Sequence, residues 1–298
     1  MKRFMIGQHG CFDNAKYARD FRKDFYGIEA CMLENESEID KLILASERDN
    51  LSIGIHFPLR GWTTKHRDPQ FLSKNYEARI HFYEQMEQEF NYLHRIKPSY
   101  ILFHYPKPVI LDDRVDWKIW RFGDISEFEF ESNYSFEELK NSSEYLFSWL
   151  TEKSEEYNFI SVLELDALNS YIYKTNLLEE LLSKYPKVKL CLDTGRLHNQ
   201  ERMDRNFNAK QIIKRFAKYA EVVHLWNVKV TEIVEYNHYP ALPDLKPEDG
   251  WAPIEEYMRI IGQENKHVKI MFEHMSDLIS EEELQECYDW IAELIEIE

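Results

Sequence analysis

The run Leu190-Cys-Leu-Asp-Thr-Gly-Arg-Leu-His198 puts a carboxylate at the end of an apolar stretch, then a Thr-Gly turn, a guanidinium and an imidazole. An apolar strand that stops at an acid delivers a ligand to the rim of a sheet. One such ending is weak, because many strands close on Asp for the turn that follows. Here it recurs. His56, His104, Glu164, Asp193, His224 and Glu273 each stand at the carboxyl end of a separate apolar run. Side chains alternate between strand faces with period two. His56 therefore shares a face with Gly54, His104 with Leu102, Glu164 with Val162, Asp193 with Cys191, His224 with Val222 and Glu273 with Met271. Small or apolar residues one layer down and metal-competent ones above them crown a single rim.

Each of the six has a plainer reading. A single strand-end His is commonly a hydrogen-bonded core residue, and a strand-end acid often caps the next helix. Six in phase point elsewhere. Carboxylates crowded in a buried rim raise one another's pKa and lose hydration, and a divalent cation relieves both costs. Mixed imidazole and carboxylate donors suit Zn, Mn, Fe or Co better than Ca.

The elements that must carry these residues alternate from end to end. Strands are expected at 5–9, 26–33, 51–57, 100–104, 159–165, 188–192, 222–225 and 268–272. Helices are expected at 14–24, 36–48, 75–94, 136–157, 177–184, 209–219, 254–261 and 280–295. Ser135 with Glu138 opens one of them as a capping box, and Glu281, Glu282 and Glu283 suit the first turn of the last. Eight strand-helix units without a linker-like break predict an α/β fold, a single (β/α)8 barrel domain over residues 1–298. An open doubly wound sheet is the competing arrangement, but no Gly-rich dinucleotide turn follows the first strand. The long connections 58–74, 105–134 and 226–252 all follow strands, which places extended loops on the C-terminal face, where barrel enzymes keep their sites.

Composition narrows the partners. With 37 basic against 54 acidic residues the net charge is −17, which disfavours nucleic acid. Four scattered cysteines read as reduced thiols, and no apolar run is long enough to span a bilayer, so a cytoplasmic protein without a membrane role is expected.

The motifs Val162-Leu-Glu-Leu-Asp166, Leu190-Cys-Leu-Asp-Thr194, Val223-His-Leu225 and Ile270-Met-Phe-Glu273 resemble the xylose isomerase-like barrel superfamily, which includes sugar epimerases and endonuclease IV. The resemblance runs from the first strand to the eighth. It implies that Glu164, Asp193, His224 and Glu273 bind one metal. The endonuclease branch further implies a second metal on His56 and His104, with Glu164 bridging. The chain departs from that branch at Arg196, which stands where a metal-binding His is found. A third metal lacks its Asp, although His238 matches its His and His198 is a possible replacement ligand.

Two enzymatic expectations follow, with a divalent cofactor of one or two ions (Mn, Zn or Co). The first is a metal-dependent sugar or sugar-phosphate isomerase or epimerase, in which Glu164 and Glu273 exchange a proton with a substrate whose enediolate the metal stabilises. Arg196, His198, Trp226 and His238 are the candidate substrate contacts. Arg196 either orients an anionic or polyhydroxy substrate or salt-bridges a rim carboxylate. Trp226 and Trp251 either stack on a sugar or simply pack. The second expectation is an endonuclease IV-like zinc phosphoesterase, acting on a small phosphorylated substrate held by Lys65, Arg67 and Lys107, or on nucleic acid. A non-catalytic metal- or ligand-binding barrel is the third reading.

Overall fold

The computed structural model describes residues 1–63 and 67–296; Lys65 lies outside them. Eight parallel strands close into a barrel: β1 (Phe4–His9), β2 (Gly27–Cys31), β3 (Ser52–His56), β4 (Tyr100–Tyr105), β5 (Ile160–Leu165), β6 (Val188–Asp193), β7 (Ala220–Leu225) and β8 (Lys269–Phe272). They stand in chain order around the ring, and β8 pairs with β1 to close it. The helices are α1 (Asn14–Asp20), α2 (Glu36–Asp49), α3 (Tyr76–Leu93), α4 (Phe136–Tyr157), α5 (Ser170–Tyr173), α6 (Leu177–Lys184), α7 (Thr194–Met203), α8 (Ala209–Phe216), α9 (Ile254–Glu264) and α10 (Glu281–Ile295). Ser135 and Ser280 both open helices as full capping boxes, with Glu138 and Glu283 answering. Each such cap contributes about 1 kcal/mol.

Two cores result from strand alternation. Outward-facing residues such as Ile6, Ile28, Ile55, Phe103, Leu163, Leu192, Val223 and Phe272 pack under the helices. Inward-facing Met5, Tyr100, Leu102, Val162, Cys191, Val222 and Met271 fill the barrel. The layer expected beneath the polar crown is therefore present at Leu102, Val162, Cys191, Val222 and Met271. Gly54 is the exception that makes room: a Cβ there would lie 2.3 Å from the Tyr100 ring.

Sequence and structure differ at two places that bear on the site; elsewhere the first helix ends at Asp20, and a short helix, Ser170–Tyr173, stands where none is expected. Thr194-Gly195 is not a turn but the first turn of α7, capped by Asp193, whose side chain accepts from the Arg196 N–H. The polar composition of α7 hides its helical period, which needs an apolar stripe to be read. Two of the long connections also carry strands of their own. Val109–Leu111 pairs with Phe128–Phe130, and Asn227–Val230 forms a hairpin with Val234–Tyr239. Among the described residues no helix is long and apolar enough to cross a membrane.

Candidate metal centre

Register decides which side chains meet. His104 on β4 lies level with Glu164 on β5. Asp193 on β6 lies level with His224 on β7 only because the β6–β7 register shifts by one residue between Leu190 and Cys191. Since one residue of slip exchanges the two faces of a strand, this irregularity turns His224 to the same side as Asp193. Glu273 follows the end of β8, beside His224.

The result is a shared focus. Glu164 Oε2 lies 3.3 Å from His104 Nε2, 3.3 Å from His224 Nδ1 and 3.8 Å from His56 Nε2. Glu273 Oε2 is 3.3 Å from the same His224 Nδ1. Ligand atoms of Asp193, His224 and Glu273 lie within 4.8 Å of one another, as do those of His56, His104 and Glu164. Glu164 Oε2 and His224 Nδ1 are buried and have no hydrogen-bond partner. Buried polar atoms are normally paired, so two orphaned donors aimed at one point, with carboxylates around them, fit a divalent cation of the N/O-binding kind.

Electrostatics agree with the geometry. Burial first, then the neighbouring Glu164 and Glu273 carboxylates, push the Asp193 carboxyl up to about 7. Burial also works to raise Glu164, but the His104 and His224 imidazoles outweigh it and hold that carboxyl well below the usual range. His224 is driven the other way: burial would lower it, yet Cys191, Glu29, Glu273 and Glu164 raise it well above an ordinary histidine.

Two supporting carboxylates, Glu29 and Asp68, escaped the reading of the sequence. Glu29, buried on β2, lies 3.0 Å (Oε1) and 3.1 Å (Oε2) from His224 Nε2, accepts from the Tyr100 hydroxyl at 2.6 Å, and lies 3.6 Å from His56 Nδ1. Asp68 lies 2.9 Å from His104 Nδ1. Carboxylates on the far nitrogens fix the tautomer and orientation of metal-binding imidazoles. Lys107, expected in a rim loop as a contact for a phosphorylated substrate, is instead buried between Asp166 at 2.9 Å and Asp68 at 3.2 Å, whose carboxylates take up its charge. Glu29 had a signal, as the one charged residue in an otherwise apolar strand and in phase with Gly27 and Cys31. Asp68 stands in an irregular loop, where no periodicity marks it.

The proposed substrate contacts separate. Arg196 reaches back from α7 to Glu164 (2.9 Å), Asp166 (3.2 Å) and Asp193 (3.6 Å). Trp226 donates its indole N–H to Asp193 at 3.0 Å and stacks on His238 with ring centroids 4.2 Å apart. Gly195 permits this, since a Cβ there would lie 2.3 Å from the indole. The His238 Nδ1–H donates to the Glu273 carbonyl at 2.8 Å. Arg196, Trp226 and His238 line a cavity of about 180 Å³ together with Asp193 and Glu273. His198 does not line it. Its imidazole is buried on α7, beside the Gly250 backbone and Arg202. Trp251 packs against Tyr236 and Tyr239 under the hairpin, the packing reading of the two.

No protein-family model and no curated protein matches the sequence. Solved structures do match. A D-tagatose 3-epimerase-like protein superposes with a TM-score of 0.64 at 14% identity, covering 97% of each chain. A xylose isomerase domain containing protein from Salmonella typhimurium LT2 gives 0.60 at 14% identity, over 99% of this chain and 97% of its own. The IolI protein, solved with a bound zinc atom, gives 0.65 at 10% identity over 98% of both chains. The chain has the fold of the xylose isomerase-like barrels, as its strand-end motifs imply.

Proposed function

We propose that this chain is a metal-dependent sugar or sugar-phosphate isomerase or epimerase. The observation that carries the reading is the convergence of Glu164 Oε2 and Glu273 Oε2 on His224 Nδ1, with two of those three atoms buried and unpartnered. Structural neighbours named as tagatose, psicose and ribulose epimerases support a small carbohydrate as substrate. Glu164, Asp193, His224 and Glu273 would hold the ion. Bound there, a divalent metal supplies Lewis-acid stabilisation for the negative charge that builds on a carbonyl oxygen as the adjacent C–H ionises.

The two glutamates are not equivalent. Glu273 is 28% exposed and lines the cavity, whereas Glu164 is 1% exposed and tied to Arg196. Glu273 is the group placed to take a proton from substrate. Glu164 returns one only while Arg196 holds its orientation. Trp226, buried and stacked on His238, walls the cavity and steadies Asp193 through its indole N–H.

The test is solvent exchange. Protein loaded with Mn or Co, incubated with ketoses in D2O, is expected to place deuterium on the carbon beside the carbonyl, and Glu273→Gln to stop it. No exchange across a broad ketose panel by metal-loaded protein would overturn the proposal.

One observation favours the phosphoesterase instead. His56 Nε2 and His104 Nε2 lie 3.2 Å apart beside Glu164 Oε2, a donor set for a second ion. Arg67 and Arg196 approach those same nitrogens at 3.2 and 3.5 Å, and their positive charge opposes a second cation. Two zinc ions per chain, with hydrolysis of a phosphomonoester and no deuterium exchange, would put this reading first.

A further inference from the structure

The cavity above the carboxylates is lined by three arginines, Arg67, Arg121 and Arg196, in a chain whose net charge is −17. Arg196 is committed to Glu164 and Asp166. The other two are not. Arg67 is 40% exposed; one terminal nitrogen lies 3.2 Å from His56 Nε2, and its guanidinium finds a carboxylate oxygen, on Asp68, only at 4.0 Å. That Asp68 is already taken by His104 and Lys107. Arg121 is exposed and makes no hydrogen bond or ion pair among the described residues. The acids that share the lining, Asp193 and Glu273, belong to the proposed metal set, so a bound ion takes up their charge and leaves the two guanidiniums without a carboxylate in close contact.

A guanidinium is a planar fork whose parallel N–H donors match the oxygens of a phosphate or carboxylate. Two of them facing one cavity, in a protein with a large surplus of acids to pair with elsewhere, mark a subsite for an oxyanion. Asn199, Asn237 and Trp120 add amide groups and an aromatic surface to the lining, which suit hydroxyls and a carbon chain. Resting on the isomerase reading, we propose that the sugar this site takes is anionic, bearing a phosphate ester or a carboxylate, and that Arg67 and Arg121 hold that group.

The test is a matched set of ligands titrated calorimetrically into metal-loaded protein: D-fructose, D-fructose 6-phosphate, D-fructuronate and inorganic phosphate. At least one anionic ketose is expected to bind about tenfold or more tightly than D-fructose, with the advantage shrinking as salt is raised. The phosphate and carboxylate arms tell which oxyanion the site prefers. Arg67→Gln and Arg121→Gln are each expected to remove about tenfold of that advantage. Both side chains are exposed, and unchanged thermal midpoints would show both variants folded. D-fructose binding as tightly as both anionic ketoses, or full discrimination kept in both variants, would overturn the proposal. Anionic binding that depends on these arginines without any deuterium exchange would keep the subsite and remove the isomerase reading.

Discussion

Glu29→Gln isolates the part of the account least visible in the sequence. The Glu29 carboxylate lies 3.0 and 3.1 Å from His224 Nε2 and accepts from the Tyr100 hydroxyl at 2.6 Å. Burial alone would raise its pKa, but His224 first and then His56 hold it below the ordinary range, so it is charged at neutral pH. A glutamine keeps the shape, loses the charge, and can offer an N–H where an acceptor is needed. His224 would then no longer be held with its Nε2 proton on Glu29 and its Nδ1 lone pair turned towards Glu164 and Glu273. Losing such a supporting carboxylate typically costs 10–100-fold in metal affinity, which is about 1.4–2.7 kcal/mol. Competition against a fluorescent zinc chelator at neutral pH, on stripped protein of verified cooperative unfolding, measures it directly. A folded E29Q protein with unchanged zinc affinity would refute the argument that Glu29 orients a ligand.

Two further perturbations follow from local geometry. Gly195→Ala would drive a methyl group into the Trp226 indole; overpacking of this kind costs about 1–3 kcal/mol, so the melting temperature should fall by a few degrees with a red shift in tryptophan emission. An unchanged melt and spectrum would show that α7 and Trp226 are not packed as described. His198 is held by burial, and then by Arg202, at about 4 instead of 6.5. The unfolded chain therefore binds the extra proton between those values, so stability is full above about pH 6.5 and declines as pH falls towards 4. Near pH 5 the loss is about 2 kcal/mol. Urea unfolding of metal-free wild type and His198→Leu at neutral and mildly acidic pH should show a flatter dependence in the variant; equal slopes would contradict it.

Much of this was legible because a barrel repeats one rule. Period-two alternation along each strand sorts Leu102, Val162, Cys191, Val222 and Met271 inward and sets His104, Glu164, Asp193, His224 and Glu273 above them. What stayed hidden had physical reasons. The Asp193 side chain was open to two readings, helix cap or site acid, and it does both: one oxygen takes the Arg196 N–H while the other takes the Trp226 indole N–H beside His224 and Glu273. Register is a property of strand pairs, so the one-residue shift that brings His224 opposite Asp193 has no mark in either strand alone. Asp68 and Lys107 come from irregular loops, where partner choice is settled only by the closed fold. Arg196 answered its own alternative by pairing with Glu164 and Asp166.

The convergence of Glu164, Asp193, His224 and Glu273 on one cation is tested most directly by elemental analysis of protein purified without chelator, alongside Glu164→Gln and Asp193→Asn. The account predicts at least one transition-metal ion per native chain and a sharp loss of metal from both variants, with cooperative unfolding retained. Full metal content in both variants, or a native protein that takes up neither zinc, manganese nor cobalt when these are supplied, would contradict it.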